Sequence, residues 1–213
     1  MLKLAHFSEP YTKWKQSPGI RDRFLGDAGA IIRSKVKHGF LAYVKHSDFK
    51  IVDSLFELEE SFGSAHGLAG RLCMDRVEEW RKNENYAFDE TRYVFEDGNG
   101  RGDIIKAASA IEPHFPLPNF EASRDWVSSH DWPDGRVGLV QLQSADYLAY
   151  EYRKAIADRI SKGVQAHRKS LQALLGRPLE IAGFEGPVGI AKFCTAHNIK
   201  RRHPDSQLYD KFK

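Results

Sequence analysis

The sequence predicts a mixed α/β layer fold. Helix-like and strand-like segments alternate along the chain, the strands are short and few for 213 residues, and the longest periodic segment closes the series. A composition of 41% hydrophobic, 29% charged and 12% aromatic residues is that of a folded globular chain, and it excludes a disordered or disulfide-stapled one. The length allows a substantial core in one large domain, or in a domain with an appendage.

The elements follow in order. In "SPGIRDRFLGDAGAIIRSKV", Ser17 is a natural N-cap and Pro18 suits the first helical position. Ile20, Phe24, Ala28, Ile31 and Ile32 then recur about once per turn, which predicts a helix weakened by Gly26 and Gly29. "GFLAYV" is a short β-prone run, read as a strand over 39–45. "HSDFKIVDSLFELEESFG" reads as a loop with a short helix. "SAHGLAGRLCMDRVEEW" carries Leu68, Leu72, Met74, Val77 and Trp80 near one face, a second helix. "ETRYVFEDGNGRGDIIKAASAI" is a strand ending at Glu96, a glycine-rich turn, and a helix with Asp103 as its expected N-cap. Four prolines and two tryptophans in 113–138 leave room for one short strand, within 119–127. A long helix follows in "LVQLQSADYLAYEYRKAIADRI", then a short one in "KSLQALL" and a last one in "PVGIAKFCTAHN".

Charge narrows function only a little. Lys and Arg number 32 against 29 Asp and Glu, a net +3, with a pI near 8.8, so the chain is not a polycation whose field alone implies nucleic acid. The basic run "IKRRHPDSQLYDKFK" is expected to be solvated. Cys73 and Cys194 stand in apolar helical contexts without C-x-x-C or Cys/His spacing, which points to unreactive core thiols in a reducing compartment. No apolar run reaches the roughly 18 residues of a membrane span, and the start is too short for a signal peptide, so the chain is expected in the cytoplasm.

Two carboxylates stand out. In the long helix, at about 100° per residue, Leu142, Ala145, Ala149, Tyr152, Ile156 and Ile160 form one stripe. Asp146 falls beside Leu142 and is expected to face the protein, with Glu151, Lys154 and Asp158 opposite, in solvent. Three readings of Asp146 stay open: a first-turn acid of a helix capped by Ser144, a partner of Arg153, or a metal ligand or acid/base group. Glu96 closes an apolar strand just before glycines, where sites collect on α/β sheets. It is expected to share a face with Val94, away from Tyr93 and Phe95, and the plainer reading is a solvated turn.

Other chemistries have little footing. "GNGRGD" lacks the third glycine of the dinucleotide fingerprint, where Asp103 stands, and the lysine of a phosphate loop. The nine histidines include no i, i+4 pair, and no G-x-S-x-G occurs.

"RYVFEDGNGRG" and "VQLQSADYLAYEYRK" together resemble the domain-of-unknown-function 3800 family, with its strand ending in glutamate before a Gly-rich turn and its later helix of the form L-Q-x-A-D-x-x-A-Y. Leu142, Gln143, Ala145, Asp146, Ala149 and Tyr150 match the second pattern. The likeness runs from about Trp14 onward. It implies a ribonuclease-H-like mixed sheet flanked by helices over 1–163 and a helical C-terminal extension over 164–213. It also implies Mg²⁺ or Mn²⁺ held by Glu96 and Asp146, with Gln143 orienting a ligand or a water, and a nuclease-like activity on nucleic-acid phosphodiesters. The family opens with a strand ending in Asp-Glu-Ser-Gly that supplies the first ligand. This sequence has no such motif: "LAHFSEP" is either a degenerate version, with Ser8 and Glu9, or the family's later H-x-[ST]-[DE] element. The expectation is therefore a sheet missing its first hairpin, completed by a second copy or another partner, with hydrolysis only if a third carboxylate is available. The alternative is an inactive remnant that binds nucleic acid or protein.

Overall fold

The computed structural model describes residues 17–87, 91–98, 100–121, 141–162, 171–172, 179–184 and 186–203. "LAHFSEP" and Trp14, the Pro- and Trp-rich stretch 122–140, most of "KSLQALL", residues 204–213 and the side chain of Gln143 lie outside the described residues. The architecture is mixed α/β. In chain order the elements are α1 (Pro18–Lys35), β1 (Gly39–Tyr43), α2 (His46–Asp53), α3 (Leu58–Phe62), α4 (Ala65–Asn83), β2 (Val94–Glu96), α5 (Arg101–Ser109), β3 (Asn119–Glu121), α6 (Gln141–Lys162), β4 (Leu179–Gly183) and α7 (Gly186–Ala196). Among the described residues the strands form two two-stranded sheets, β1 with β4 and β2 with β3.

The chain divides into two compact units. One comprises Met1–Gly39 and Ala122–Leu179, the other Phe40–Glu121 and Glu180–Lys213. In the first unit, α1 begins at Pro18 as expected and runs unbroken through both glycines, although Ser17 makes no side-chain cap. Its apolar spacing does not mark a buried face, since Ile20 and Ile31 are 57% and 64% exposed. The helix α6 corrects a second expectation. Its fully buried side chains include Tyr147 and Glu151, while Asp146, Ala145 and Ala149 are exposed. At about 100° per residue the buried direction lies nearly opposite the predicted Leu142–Ala149 stripe. Leu142, Tyr152 and Ile156 of that stripe are half-buried, and its two alanines offer little area to bury beside the Tyr147 ring. The helix also starts at Gln141, so Ser144 is not its N-cap.

The second unit holds the core, built from Phe49, Val52, Phe56, Leu58, Phe62, Leu68 and Met74 together with residues of α5, α7 and the segments flanking β2 and β3. The stretch expected to be a loop with one short helix forms both α2 and α3, because Phe49 and Val52, then Leu58 and Phe62, recur at helical spacing and are buried. The next helix, α4, is capped by Ser64, whose hydroxyl accepts the Gly67 N–H at 3.3 Å. Of its buried positions, 67, 70, 71, 74, 78 and 81 trace one stripe, and Ala65 and Leu68 are buried beside it in the first turn. Two of them are glycines because α5 passes close by: a Cβ on Gly67 would meet the carbonyl of Phe62 and the Asp103 backbone, and one on Gly70 would meet Ile104.

The glycine-rich turn folds tighter than the sequence implied. Arg101 N–H bonds to Gly98 C=O at 3.1 Å, so α5 begins at Arg101 with Gly100, not Asp103, in the capping position. Asp103 instead accepts the Ser64 hydroxyl at 2.5 Å, joining the first turns of α4 and α5. Beyond α5 the chain returns to pair β3 with β2 in parallel, a small β-α-β unit, with Val94, Phe95 and Glu96 in register with Asn119, Phe120 and Glu121.

Buried Arg71 fastens this unit. Its guanidinium donates to the carbonyls of Ile111 at 2.8 Å and Pro113 at 3.0 Å, more weakly to Ala107 at 3.4 Å, and to Asp75 at 3.0 Å. It also lies 4.5 Å over the Phe115 ring. Burial lowers the Arg71 pKa and raises that of Asp75, each opposed by the attraction of the other. One turn on, Arg81 holds Glu78 through bonds of 2.7 and 2.9 Å and donates to the carbonyl of Tyr86.

The strand β4 was not expected from its residues, and the described part of the basic run after α7, residues 199–203, is not simply solvated. Asn198, at φ 55°, turns the chain out of α7. Buried Ile199 then starts a strap bridged antiparallel to Phe56 at Arg201.

Candidate functional site

The β2–β3 pair sets the candidate site. Alternation along β2 sends Tyr93 and Phe95 toward the core and Glu96 outward. Phe95 stacks on its register partner Phe120 at 6.2 Å between centroids. Glu96 and Glu121 share the other face, at the carboxyl ends of the strands. Both are exposed, so Glu96 is not packed among apolar side chains as its alternation with Val94 had implied. Neighbouring strands lie about 4.8 Å apart, which sets the two carboxylates side by side as like charges. Asp97 N–H bonds to Glu121 C=O at 2.9 Å and locks the strand ends together. The Asp97 carboxylate faces Arg101 at 3.5 Å, and the Arg101 guanidinium lies 4.8 Å over Phe120.

The site residues expected from sequence are therefore distributed as follows. Glu96 ends β2 in the second unit, beside Glu121. Asp146 and Gln143 lie on α6 in the first unit, and Asp146 is exposed rather than turned inward. Glu121 is the acid the sequence reading passed over. The signal was present, because "VFE" and "NFE" each carry a glutamate after phenylalanine in a strand; of the range 119–127 expected to hold that second strand, residues 122–127 lie outside the described residues.

The donor chemistry suits a hard cation. Two carboxylates with open sides fit Mg²⁺ or Mn²⁺, which take oxygen ligands, keep several waters and often use only one or two protein carboxylates. Among the described residues no group of three or more His, Cys, Asp or Glu side chains is gathered to hold a metal. Thiol chemistry has no support here: burial raises the Cys73 pKa and pushes Cys194 to about 12. No helix among the described residues is long and apolar enough to cross a membrane. Comparison with family models, with curated proteins and with solved structures finds no match to this chain.

Proposed function

We propose that the chain is a ribonuclease-H-like α/β protein, akin to the domain-of-unknown-function 3800 family, that hydrolyses nucleic-acid phosphodiesters in the cytoplasm with Mg²⁺ or Mn²⁺. The observation that carries this reading is the in-register pairing of Glu96 with Glu121 at the carboxyl ends of two parallel strands. It sets a second carboxylate beside Glu96 at the strand ends. Glu96 and Glu121 would hold the ion at the strand ends, and the roles of Asp146 as a ligand and Gln143 as an orienting group rest on the resemblance alone. When bound, the metal supplies Lewis-acid stabilisation of charge on a phosphoryl oxygen. The carboxylates position it and are relieved of mutual repulsion, and Arg101, beside the strand ends, neutralises phosphate charge.

The test is Mg²⁺- and Mn²⁺-dependent cleavage of labelled DNA and RNA by the wild type and by Glu96→Gln, Glu121→Gln and Asp146→Asn, with melting temperature measured with and without metal. Loss of about 100-fold or more in Glu96→Gln, together with loss of its metal-dependent stabilisation, is the expected result. Equal cleavage by Glu96→Gln and the wild type would overturn the assignment.

The exposure of Asp146 favours a second reading. Here the chain is an inactive relative that binds nucleic acid or protein, its short sheets extended by a second copy or another partner. Absence of any cleavage and of any metal-dependent shift in melting temperature would select it.

A further inference from the structure

The strap after α7 reads differently in sequence and in structure. In sequence it is four consecutive cationic or titratable side chains, Lys200, Arg201, Arg202 and His203. In the fold it lies extended along the α2–α3 junction, tied by backbone bonds from Glu57 N–H to Lys200 C=O and from Arg202 N–H to Leu55 C=O, each 2.8 Å. Its charges meet carboxylates there. Lys200 lies 2.7 Å from Glu57. Arg202 lies 2.6 Å from Glu60 and 3.3 Å from Asp53, and its Nε donates to the Asp53 carbonyl at 2.7 Å.

Two features separate this from an ordinary surface ion pair. The cations sit on backbone held at both ends, so they cannot drift from the acids as a free tail would. Yet the Lys200 side chain is 76% exposed and that of Arg202 30%, so both charges remain reachable from solvent. An extended run of Lys, Arg and His binds sugar-phosphate backbone without regard to base sequence, because phosphate contacts draw on charge and counterion release. Here that charge is already cancelled by three acids. The mild net charge of the whole chain therefore conceals a segment that would be strongly basic by itself.

We propose that segment 200–203 is a sequence-independent contact for nucleic-acid phosphates whose charge is masked in place by Glu57 and Glu60, so that the folded chain binds nucleic acid below its capacity. Masking is electrostatic. It needs no movement of the strap, only removal or outcompetition of the two glutamates. The proposal does not depend on the metal site, and its test is run in a chelator so that the two fail independently.

The experiment measures anisotropy of a fluorescein-labelled oligothymidylate against the wild type, Glu57→Gln/Glu60→Gln, and the charge-matched control Glu79→Gln/Glu84→Gln, over a range of salt. Asp53 is kept because its carboxylate also accepts the Glu59 N–H. Lys200 loses its acid, and Arg202 loses Glu60 while keeping Asp53, so the salt dependence should steepen by about 0.7–1.4 in logarithmic slope, roughly 5- to 25-fold tighter binding at 0.1 M than in the wild type. The control should shift far less. Adding Lys200→Ala/Arg202→Ala to the unmasked variant should reverse the gain, and the same pair in the wild type should cost much less. Binding by Glu57→Gln/Glu60→Gln no tighter than the control would overturn the proposal. So would an equal loss from Lys200→Ala/Arg202→Ala in both backgrounds, a comparison that stands even where one variant is destabilised.

Discussion

Replacing Arg71 with methionine removes the guanidinium that ties α4 to the chain leaving α5, while keeping most of the side-chain volume. Three consequences set the magnitude. The carbonyls of Ile111 and Pro113, bonded at 2.8 and 3.0 Å, lose a charged donor, at about 1.5–3 kcal/mol each. The bond to Ala107 at 3.4 Å contributes little. Contact with the Phe115 ring adds about 1 kcal/mol. Against these stands relief of desolvating the cation, whose pKa burial holds below the usual arginine value. Asp75, 31% exposed, regains water in the variant and is discounted. The balance is a loss of about 3–5 kcal/mol, the range found when one member of a buried charged set is deleted. That corresponds to a fall in melting temperature of roughly 6–20 °C for a chain of this size. Urea unfolding followed by circular dichroism measures it. Arg71→Lys should recover only part of the loss, since a point charge cannot span carbonyls and Asp75 together. A cost below about 1 kcal/mol for Arg71→Met would refute the claim that the guanidinium holds this unit together.

Further outcomes follow from the same unit. Ser64→Ala removes both the α4 cap and the hydroxyl donated to Asp103, and should cost about 1–2 kcal/mol in urea unfolding. Arg81 holds the Glu78 carboxyl below the ordinary glutamate value of 4.5. Stability from that pair is therefore present above 4.5 and is lost as pH falls through the lowered folded value. Asp75 acts in the opposite sense, since burial raises it and its contribution is lost as pH rises through the raised value. Glu78→Gln should accordingly lose less stability than the wild type between about pH 5 and pH 3, read as melting temperature against pH. An identical acid limb in both proteins would show that the Arg81 pair is not what sets it.

What was legible in the sequence was the element type wherever large apolar residues recurred at helical spacing beside a clear boundary residue. Pro18 opens α1 and Glu96 ends β2. What escaped had physical causes. The strand β4 is five residues between glycines and prolines, with Ile181 exposed and Ala182 buried, so alternation hardly shows. The orientation of α6 was misread because large apolar residues occur on both sides of the helix and the buried side includes, beside Tyr147, a charged residue, Glu151, which apolar periodicity places in solvent. Of the candidate site, Glu96 was found and Glu121 was not, because partnership between strands far apart in sequence is a matter of register, which local patterns do not encode. The burial of Arg71 was likewise invisible, since its acceptors are backbone carbonyls that any residue carries.

Those same carbonyls make the passage from α5 to β3 a measured length. Arg71 grips it at Ile111 and Pro113, Phe115 N–H returns to Ala108 C=O, and Asn119 N–H is received by Tyr93 C=O. With both ends pinned there is no slack to absorb an added or deleted residue. Such a change would have to be taken up as a one-step slip of β3, exchanging Phe120 for Glu121 at the interior and parting the two acids. The length of this connector thus bears on the strand ends as directly as its buried Ile111 and Phe115 bear on the core.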